Sequence, residues 1–383
     1  MRILLVNYEY PPLGGGGGVL ARTLVATLAR THDVTVLTSR GAALPAESFD
    51  DGARIVRVPV VGRNELARAS LTSLLSFGPA ARRAGAGLVR DGGFDVVHTF
   101  FAVPSGPAGA ALAKRAGAPH VLTVIGADIH DPTRGFSPDR FRPLRAIVSR
   151  VVNGADAVTA ISRDIAQRAK QLTGRADIEV VACAVAPPAL PSADRRSLGW
   201  DREFVVLTIA RLVARKGLDA LIRAVGRAGA PIRLEVIGDG PERATLEELA
   251  AAEASGRVVF AGALGEQGKT IRLVSADAFA LVSLHEGFGL VYLEAMHAGL
   301  PVVAGDAGGQ TDFLRTEANA LLVSPGDVGA LAGALRRLAG DKTLRMGLAA
   351  AARETAAEYT PERMASAYLA TYERAIGARK AAR

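Results

Sequence analysis

Short apolar, β-branched runs alternate along the chain with longer Ala/Leu/Arg stretches of helical period, the pattern of βαβ units and parallel sheets. In the first half the runs fall near Arg2–Val6, Asp33–Thr38, Arg54–Val58, Asp95–His98, His120–Val124, Ala157–Ala160 and Ile178–Val181, with helices between them. The segment Ala182–Trp200 carries Pro187, Pro188 and Pro191 and reads as an interdomain linker. The pattern then restarts, with strands near Phe204–Ile209, Arg233–Ile237, Val258–Phe260, Ala278–Val282 and Pro301–Ala304 and helices from Gly217, Glu242, Gln267 and Phe288. From Pro361 through Met364, Tyr368 and Tyr372 the spacing predicts an amphipathic helix, its proline marking the start. The fold class expected is α/β: two Rossmann-like, doubly wound parallel-sheet domains over residues 1–185 and 200–360, and a C-terminal helix over 361–383. Two such domains are expected to set the carboxyl ends of their sheets around one cleft, where ligands of open α/β sheets bind.

A length of 383 residues agrees with two domains at about 100–200 residues each. Hydrophobic residues at 49% and charged residues at 22% exclude a disordered or fibrous chain. The single cysteine, Cys183, excludes an intrachain disulfide and a thiolate metal cluster, and suits a reducing compartment. The most apolar stretch, residues 276–305, is interrupted by Asp277, His285, Glu286 and Glu294 and falls short of the ~18 apolar residues of a membrane span. The opening MRILLVNYEYPP has only four consecutive apolar residues, too few for a secretory leader. The expected location is cytoplasmic, with the inner face of the membrane as a contact. Net charge is +8, and residues 1–190 hold most of it, with 22 basic and 15 acidic residues. That asymmetry predicts an anionic partner for the first domain, a phosphorylated substrate or a lipid surface. No aromatic-rich basic tract supports nucleic-acid binding.

Three motifs fall on loops that follow predicted strands. Tyr10-Pro11-Pro12-Leu13 precedes the run Gly14 to Gly18, just before an apolar-periodic helix, and bare glycines let backbone N–H groups approach a phosphate there, with a flexible loop as the alternative. Counting G-x-G-x-x-G from Gly14 puts Val19 at the last position, and Thr38-Ser39-Arg40 offers no acidic ribose ligand, which makes a dinucleotide oxidoreductase the minor alternative. Ile209 to Gly217 brings Arg211, Arg215 and Lys216 into one loop, a set able to clamp a diphosphate, with a solvated charged loop as the alternative. Leu284 to Met296 sets Glu286 and Glu294 eight residues apart across a helix start, about 12 Å at helical rise. Glu294 lies among Val291, Leu293, Ala295 and Met296, where a carboxylate needs a partner, and a ligand hydroxyl or backbone N–H is expected to supply it, with a helix-capping Glu286 and a surface Glu294 as the alternative.

The order of glycine loop, Arg-x4-Lys, Gly238-Asp239-Gly240-Pro241 and Glu286-x7-Glu294 resembles the GT-B retaining glycosyltransferases of family 4 (group 1), nearly end to end. The resemblance implies that Gly15 and Gly16 contact the donor diphosphate, that Arg211 and Lys216 neutralise it, that Glu286 meets the donor sugar, and that Glu294 meets the ribose. It also implies that the backbone N–H groups of Gly287, Phe288, Gly289 and Leu290 face sugar and phosphate, and that the final helix crosses back onto domain one. Two positions depart from the family pattern. His-x-His is replaced by His98-Thr99-Phe100, leaving His98 as either a catalytic group or a hydrogen-bonding strand end. His-Gly-x-Asp is replaced by Ile125-Gly126-Ala127-Asp128, leaving Asp128 as either a sugar or acceptor contact or a loop cap; His130, Asp131 and Arg134 follow on the same loop.

The function expected is transfer of a sugar from a nucleoside diphosphate sugar to an acceptor hydroxyl on a glycan, a lipid-linked carrier or a small molecule. The first domain would bind acceptor and the second donor. No metal or resident cofactor is expected, since no Asp-x-Asp occurs. The catalytic set is Glu286, Asp128 and His98. A sugar-nucleotide epimerase or phosphorylase on the same fold, and a non-catalytic sugar-nucleotide binder, remain as alternatives. The arginines at 134, 140, 142, 145 and 150 suggest a helix from about Pro143 on which Arg145 and Arg150 flank Ile147 and Val151 as a lipid-seeking face, with an ordinary solvated helix as the alternative.

Overall fold

The computed structural model describes residues 1–41, 43–63, 69–133, 135–188, 195–200 and 202–382. Arg134 and Pro191 lie outside them. The chain divides into two compact units, Met1–Ala184 with Thr360–Arg383 (unit 1) and Val185–Tyr359 (unit 2).

Unit 1 runs β1 (Arg2–Val6), α1 (Gly16–Leu28), β2 (Asp33–Arg40), β3 (Glu47–Asp50), β4 (Ala53–Pro59), α2 (Leu71–Gly92), β5 (Val96–Phe100), α3 (Gly106–Ala116), β6 (His120–Val124), α4 (Arg142–Gly154), β7 (Ala157–Ala160), α5 (Arg163–Thr173) and β8 (Ile178–Val180). Its sheet has the order β3-β4-β2-β1-β5-β6-β7-β8. The strand pairs are parallel except β3 with β4. That hairpin turns at Asp51 and Gly52, both at positive φ, as a two-residue turn matching strand twist requires. The central strands β1, β5 and β6 are buried on both faces apart from Arg2, as expected of a sheet covered by helices on each side.

Unit 2 runs β9 (Phe204–Ile209), α6 (Leu218–Ala228), β10 (Ile232–Ile237), α7 (Arg243–Glu253), β11 (Val258–Gly262), α8 (Glu266–Ser275), β12 (Ala278–Leu281), α9 (Leu290–His297), β13 (Val302–Gly305), β14 (Leu321–Val323), α10 (Val328–Gly340) and α11 (Lys342–Ala356). Its sheet order is β11-β10-β9-β12-β13-β14, every pair parallel. The next helix, α12 (Pro361–Ala381), belongs to unit 1, where it buries Met364, Tyr368, Thr371 and Tyr372. Thr360 caps it by accepting from the Arg363 amide.

In each sheet the strand order reverses beside the first strand of the unit. Two post-strand loops diverge there and leave the space in which such sheets take ligands. In unit 1 they follow β1 and β5; in unit 2 they follow β9 and β12.

Candidate active site

The β9 loop of unit 2 is held by close backbone approach. A Cβ on Gly238 would lie 1.9 Å from the Ala210 carbonyl oxygen and one on Gly240 2.3 Å from that of Leu212, so Gly238-Asp239-Gly240 is the bed on which Arg211 rests. The Leu212 amide donates to the Asp239 carbonyl at 3.0 Å and the Glu242 amide to the Leu212 carbonyl at 3.1 Å. Gly217, at φ +63°, passes so near β12 that a Cβ would sit 2.4 Å from the Val282 carbonyl oxygen. The Leu284 amide donates to the Arg215 carbonyl at 2.8 Å, joining the two loops at the switch point.

That junction brings Lys216 to Glu286. Lys216 Nζ donates to Glu286 Oε1, and Ser283 Oγ donates to the same oxygen at 2.7 Å. The Glu286 carboxylate is 8% exposed. Burial favours its neutral form, but the charges of Lys216 and Arg215 and the two hydrogen bonds outweigh burial, and its pKa lies below the ordinary value. Lys216 is also displaced downward, by burial and by Arg215 and Arg211, against the pull of Glu286. Lys216 and Arg215 act on the Glu286 carboxylate, and Arg211 and Arg215 act on Lys216, so the loop after β9 gathers three cations at the switch point, an arrangement suited to an anionic ligand.

Glu286 and Glu294 do not share a helix. Gly289, at φ +93°, breaks the chain before α9, which starts at Leu290 rather than near Phe288, so the 12 Å helical spacing does not apply. A Cβ on Gly289 would strike the Tyr292 ring at 2.4 Å, and that ring is pinned by its hydroxyl donating to the Leu281 carbonyl at 2.7 Å. The Phe288 side chain packs into the core against Phe313 and Tyr359, at centroid distances of 5.0 and 5.9 Å, leaving its backbone as the part available at the helix entrance with Gly287 and Leu290.

Glu294 is held by a lysine, not by a backbone amide. Lys269 of α8 donates to its Oε1 at 3.1 Å and also meets Glu266 at 3.0 Å. Burial raises the Glu294 pKa, Lys269 opposes the rise, and Glu266 adds to it. Nothing local to the Glu286-x7-Glu294 motif announces Lys269, because the contact is made through the tertiary fold.

The glycine loop of unit 1 is organised around Glu9. A Cβ on Gly14 would meet Glu9 Cβ at 2.3 Å, and one on Gly17 would meet Phe101 Cζ at 2.5 Å and Glu9 Oε1 at 2.8 Å. Gly15 is the N-cap of α1, and its amide donates to Glu9 Oε2 at 3.1 Å. Around a Cβ at Gly15 there is open space, and Gly15 and Gly16 are exposed, so no protein packing accounts for the bare backbone at Gly15.

His98 and Asp128, two of the three expected catalytic groups, are both buried and held in hydrogen bonds within unit 1. His98 is wholly buried; Nε2 shares a 2.7 Å hydrogen bond with the Thr123 hydroxyl and Nδ1 another of 2.7 Å with Tyr372 of α12. Burial, with His120 adding to it, pushes its pKa down to about 3, so it is a neutral ring tying β5 to α12. Asp128 is buried, and its carboxylate accepts from the backbone amides of Ala102, Ile125 and Gly126 at 2.7, 3.0 and 2.8 Å. It caps the loop after β6 and clasps it to the loop after β5. On the same loop His130 pairs with Asp139 at 2.9 Å, and Asp131 accepts from Thr133.

Among the described residues no group of three His, Cys, Asp or Glu side chains is placed to hold a metal ion, and no helix is long and apolar enough to cross a membrane. The switch-point loops of unit 2 and the paired Rossmann-like sheets define the GT-B glycosyltransferase class, and the chain belongs to the group 1 glycosyltransferases. The family model described as glycosyl transferases group 1 matches residues 192–355, and that of the glycosyl transferase 4-like domain matches residues 15–184. Among its relatives is a GDP-mannose-dependent monoacylated alpha-(1-6)-phosphatidylinositol monomannoside mannosyltransferase of Corynebacterium glutamicum. It is 31% identical over 375 residues, covering 92% of each chain. A GDP-mannose-dependent alpha-(1-6)-phosphatidylinositol monomannoside mannosyltransferase of Mycolicibacterium smegmatis is 30% identical over 91% of this chain and 92% of that protein. The solved sucrose-phosphate synthase of Thermosynechococcus elongatus superposes with a TM-score of 0.85 at 22% identity, over 99% of this chain and 100% of that one. The protein is thus a glycosyltransferase.

Proposed function

We propose that the protein is a metal-independent, retaining hexosyltransferase that takes a sugar from a nucleoside diphosphate sugar bound by unit 2 and passes it to a hydroxyl of a lipid-linked acceptor bound by unit 1. The observation that carries this reading is the loop after β9 at the sheet's switch point, which gathers Arg211, Arg215 and Lys216 and holds Lys216 on the carboxylate of Glu286. A leaving diphosphate develops negative charge there, and preorganised cations stabilise it more as the glycosidic bond breaks than before. Lys216 is held on Glu286 and needs little reorganisation. Glu286 is assigned to the donor-sugar hydroxyls, Glu294 to the ribose, and the amides of Gly287 to Leu290 to sugar and phosphate. Gly15 and Gly16 are assigned to the diphosphate. In the retaining route the acceptor attacks the face that the diphosphate leaves, and a phosphate oxygen receives the acceptor proton, so no side-chain nucleophile is required.

GDP-mannose is the first donor to test, because the full-length relatives carrying 30–31% identity are GDP-mannose-dependent. Those relatives also act on phosphatidylinositol mannosides, which supports a lipid-linked acceptor and contact of the basic unit 1 with an anionic membrane. Incubation with GDP-mannose and with UDP-glucose, each with a membrane lipid extract, is the test. Acceptor-dependent release of nucleoside diphosphate and a product of the donor's anomeric configuration by NMR are expected. An inverted anomer would remove the retaining assignment, and release of an epimerised sugar nucleotide would replace transfer with epimerisation.

A further inference from the structure

The loop between β6 and α4 exposes two large aromatic rings. Phe136 is 76% exposed and Phe141, the residue just before α4, 39% exposed, with centroids 5.3 Å apart and planes at 83°. Ordinary folding buries phenylalanine, and an edge-to-face pair left in water forfeits that gain. Helix α4 continues the surface. It buries Val148, Val151 and Val152 against unit 1, which corrects the expectation that Val151 faces outward. The opposite face carries Arg142, Ala146 and Arg150 at i, i+4 and i+8, with Pro143 and Ile147 beside them, all exposed.

The charge on this face has one sign. Residues 142–154 contain three arginines and no acidic residue. Arg145 turns away, its Nε donating to the Leu172 carbonyl at 3.2 Å. Arg142 and Arg150 form no ion pair among the described residues. The neighbouring carboxylate, Asp139, already serves His130 and Ser137 and lies 4.0 Å from Arg140. Two aromatic rings at one end of a row of unpaired arginines combine apolar area with charge complementary to lipid phosphate.

We propose that Phe136, Phe141 and the Arg142–Ala146–Arg150 face of α4 are the surface by which unit 1 docks on an anionic bilayer. The phenyl rings enter the headgroup region, and the arginines lay their aliphatic stems along it with guanidinium groups on lipid phosphates. A protein partner is the less favoured occupant, since the exposed charge of α4 is of a single sign, complementary to lipid phosphate. The inference rests on the membrane-contact reading above, not on the chemistry of transfer.

Sedimentation of the full chain with vesicles of phosphatidylcholine and phosphatidylglycerol at 7:3, and of phosphatidylcholine alone, tests it at 50 and 500 mM NaCl. The parent should pellet with the anionic vesicles at low salt only. Arg142→Gln with Arg150→Gln should weaken partitioning about 30-fold, from the loss of two basic contacts at the surface. Phe136→Ser with Phe141→Ser should weaken it at 50 mM NaCl although every arginine is kept. Far-UV circular dichroism should stay unchanged, because the replaced side chains are exposed. Phe136→Trp adds a second indole to a chain whose single tryptophan, Trp200, is buried in unit 2. Its emission should shift to the blue on anionic vesicles and be quenched by brominated lipid. If both double variants pellet like the parent, or the new indole ignores the lipid, the surface is wrong while membrane contact stands. If the parent itself stays in solution at 50 mM NaCl, the membrane reading falls with it, and nucleoside diphosphate release still reports on transfer independently.

Discussion

Lys269 Nζ stands 3.1 Å from Glu294 Oε1, so the carboxylate assigned to the ribose is anchored by a cation from a different helix, 25 residues upstream. The charged groups acting on Glu294 are Lys269, which favours its ionised form, and Glu266, which disfavours it, while burial pushes its pKa up. Only the ionised form accepts two ribose hydroxyl bonds, and protonation removes it as pH falls through the raised pKa. Lys269→Met should move that loss to higher pH, so donor KM rises on going from pH 8 to pH 6 while kcat changes little. Lys269→Arg should restore the parent profile. Superimposable KM profiles for the parent and Lys269→Met would show that Lys269 only packs.

Glu294→Gln should weaken donor binding, and donors lacking a ribose hydroxyl should lose most of their disadvantage in that variant, because both changes delete one contact. A double-modification cycle with 2′- and 3′-deoxyribose donors measures the coupling. Independent additivity at both positions would separate Glu294 from the ribose.

The diphosphate clamp is best probed at Arg211, which is exposed. Arg211→Ala should lower turnover by on the order of 10² with the melting temperature unchanged, by analogy with loss of an oxyanion donor. Lys216→Ala has a second effect, since it strands a buried carboxylate at a cost of about 3–5 kcal/mol. Adding Glu286→Gln should recover most of that stability without recovering rate. Turnover within threefold of the parent for Arg211→Ala would take this residue out of the clamp.

Gly238→Ala should destabilise unit 2 and disorder the Arg211 loop, because its Cβ would lie 1.9 Å from the Ala210 carbonyl oxygen at φ +137°. Gly333→Ala, in the middle of α10 with no atom within 4 Å of the new Cβ, should instead stabilise by about 0.5–1 kcal/mol. Thermal unfolding of the two variants checks both signs.

Burial holds His98 and His120 neutral, with pKa values pushed down to about 3 and about 4. The unfolded chain protonates both near 6.5, so below that pH it binds protons that the native state refuses. Stability of unit 1 should therefore fall as pH drops from about 6.5 toward 4, by up to about 1.4 kcal/mol per pH unit for each histidine. Amide exchange in β5 and β6 at pH 7 and pH 5, corrected for intrinsic rates, reports it. His98→Gln should roughly halve the slope. Equal protection at the two pH values would contradict the burial argument.

Buried parallel strands were easy to read. Phe204–Ile209 and His120–Val124 are apolar runs bounded by breakers, and their limits match the structure residue for residue. The edge hairpin of β3 is hard to see in the sequence although Asp51-Gly52 is the standard turn signal, because Glu-Ser-Phe-Asp is short and largely polar. The three-residue β14 offers too little pattern to recognise. Within the site, the loop order and residue types of Arg211, Lys216, Glu286 and Glu294 were legible because each motif sits on one post-strand loop or helix. The partners of His98 and Glu294 were not. Tyr372 lies 274 residues from His98, and no local spacing distinguishes a histidine aimed at substrate from one aimed at a distant tyrosine.

Because α12 closes unit 1 after the whole of unit 2 has been threaded, the order of synthesis and the order of completion differ. On the ribosome, the sheet from β1 to β8 emerges first, but His98 and Thr123 must wait for Tyr372 and Tyr368. At ~5–20 residues per second, translation of unit 2 leaves that polar seam open for tens of seconds or approaching it. Unit 2, a contiguous stretch, needs no such wait. The nascent chain therefore completes its second half before its first, and until α12 arrives the seam of His98 and Thr123 in unit 1 stays uncovered.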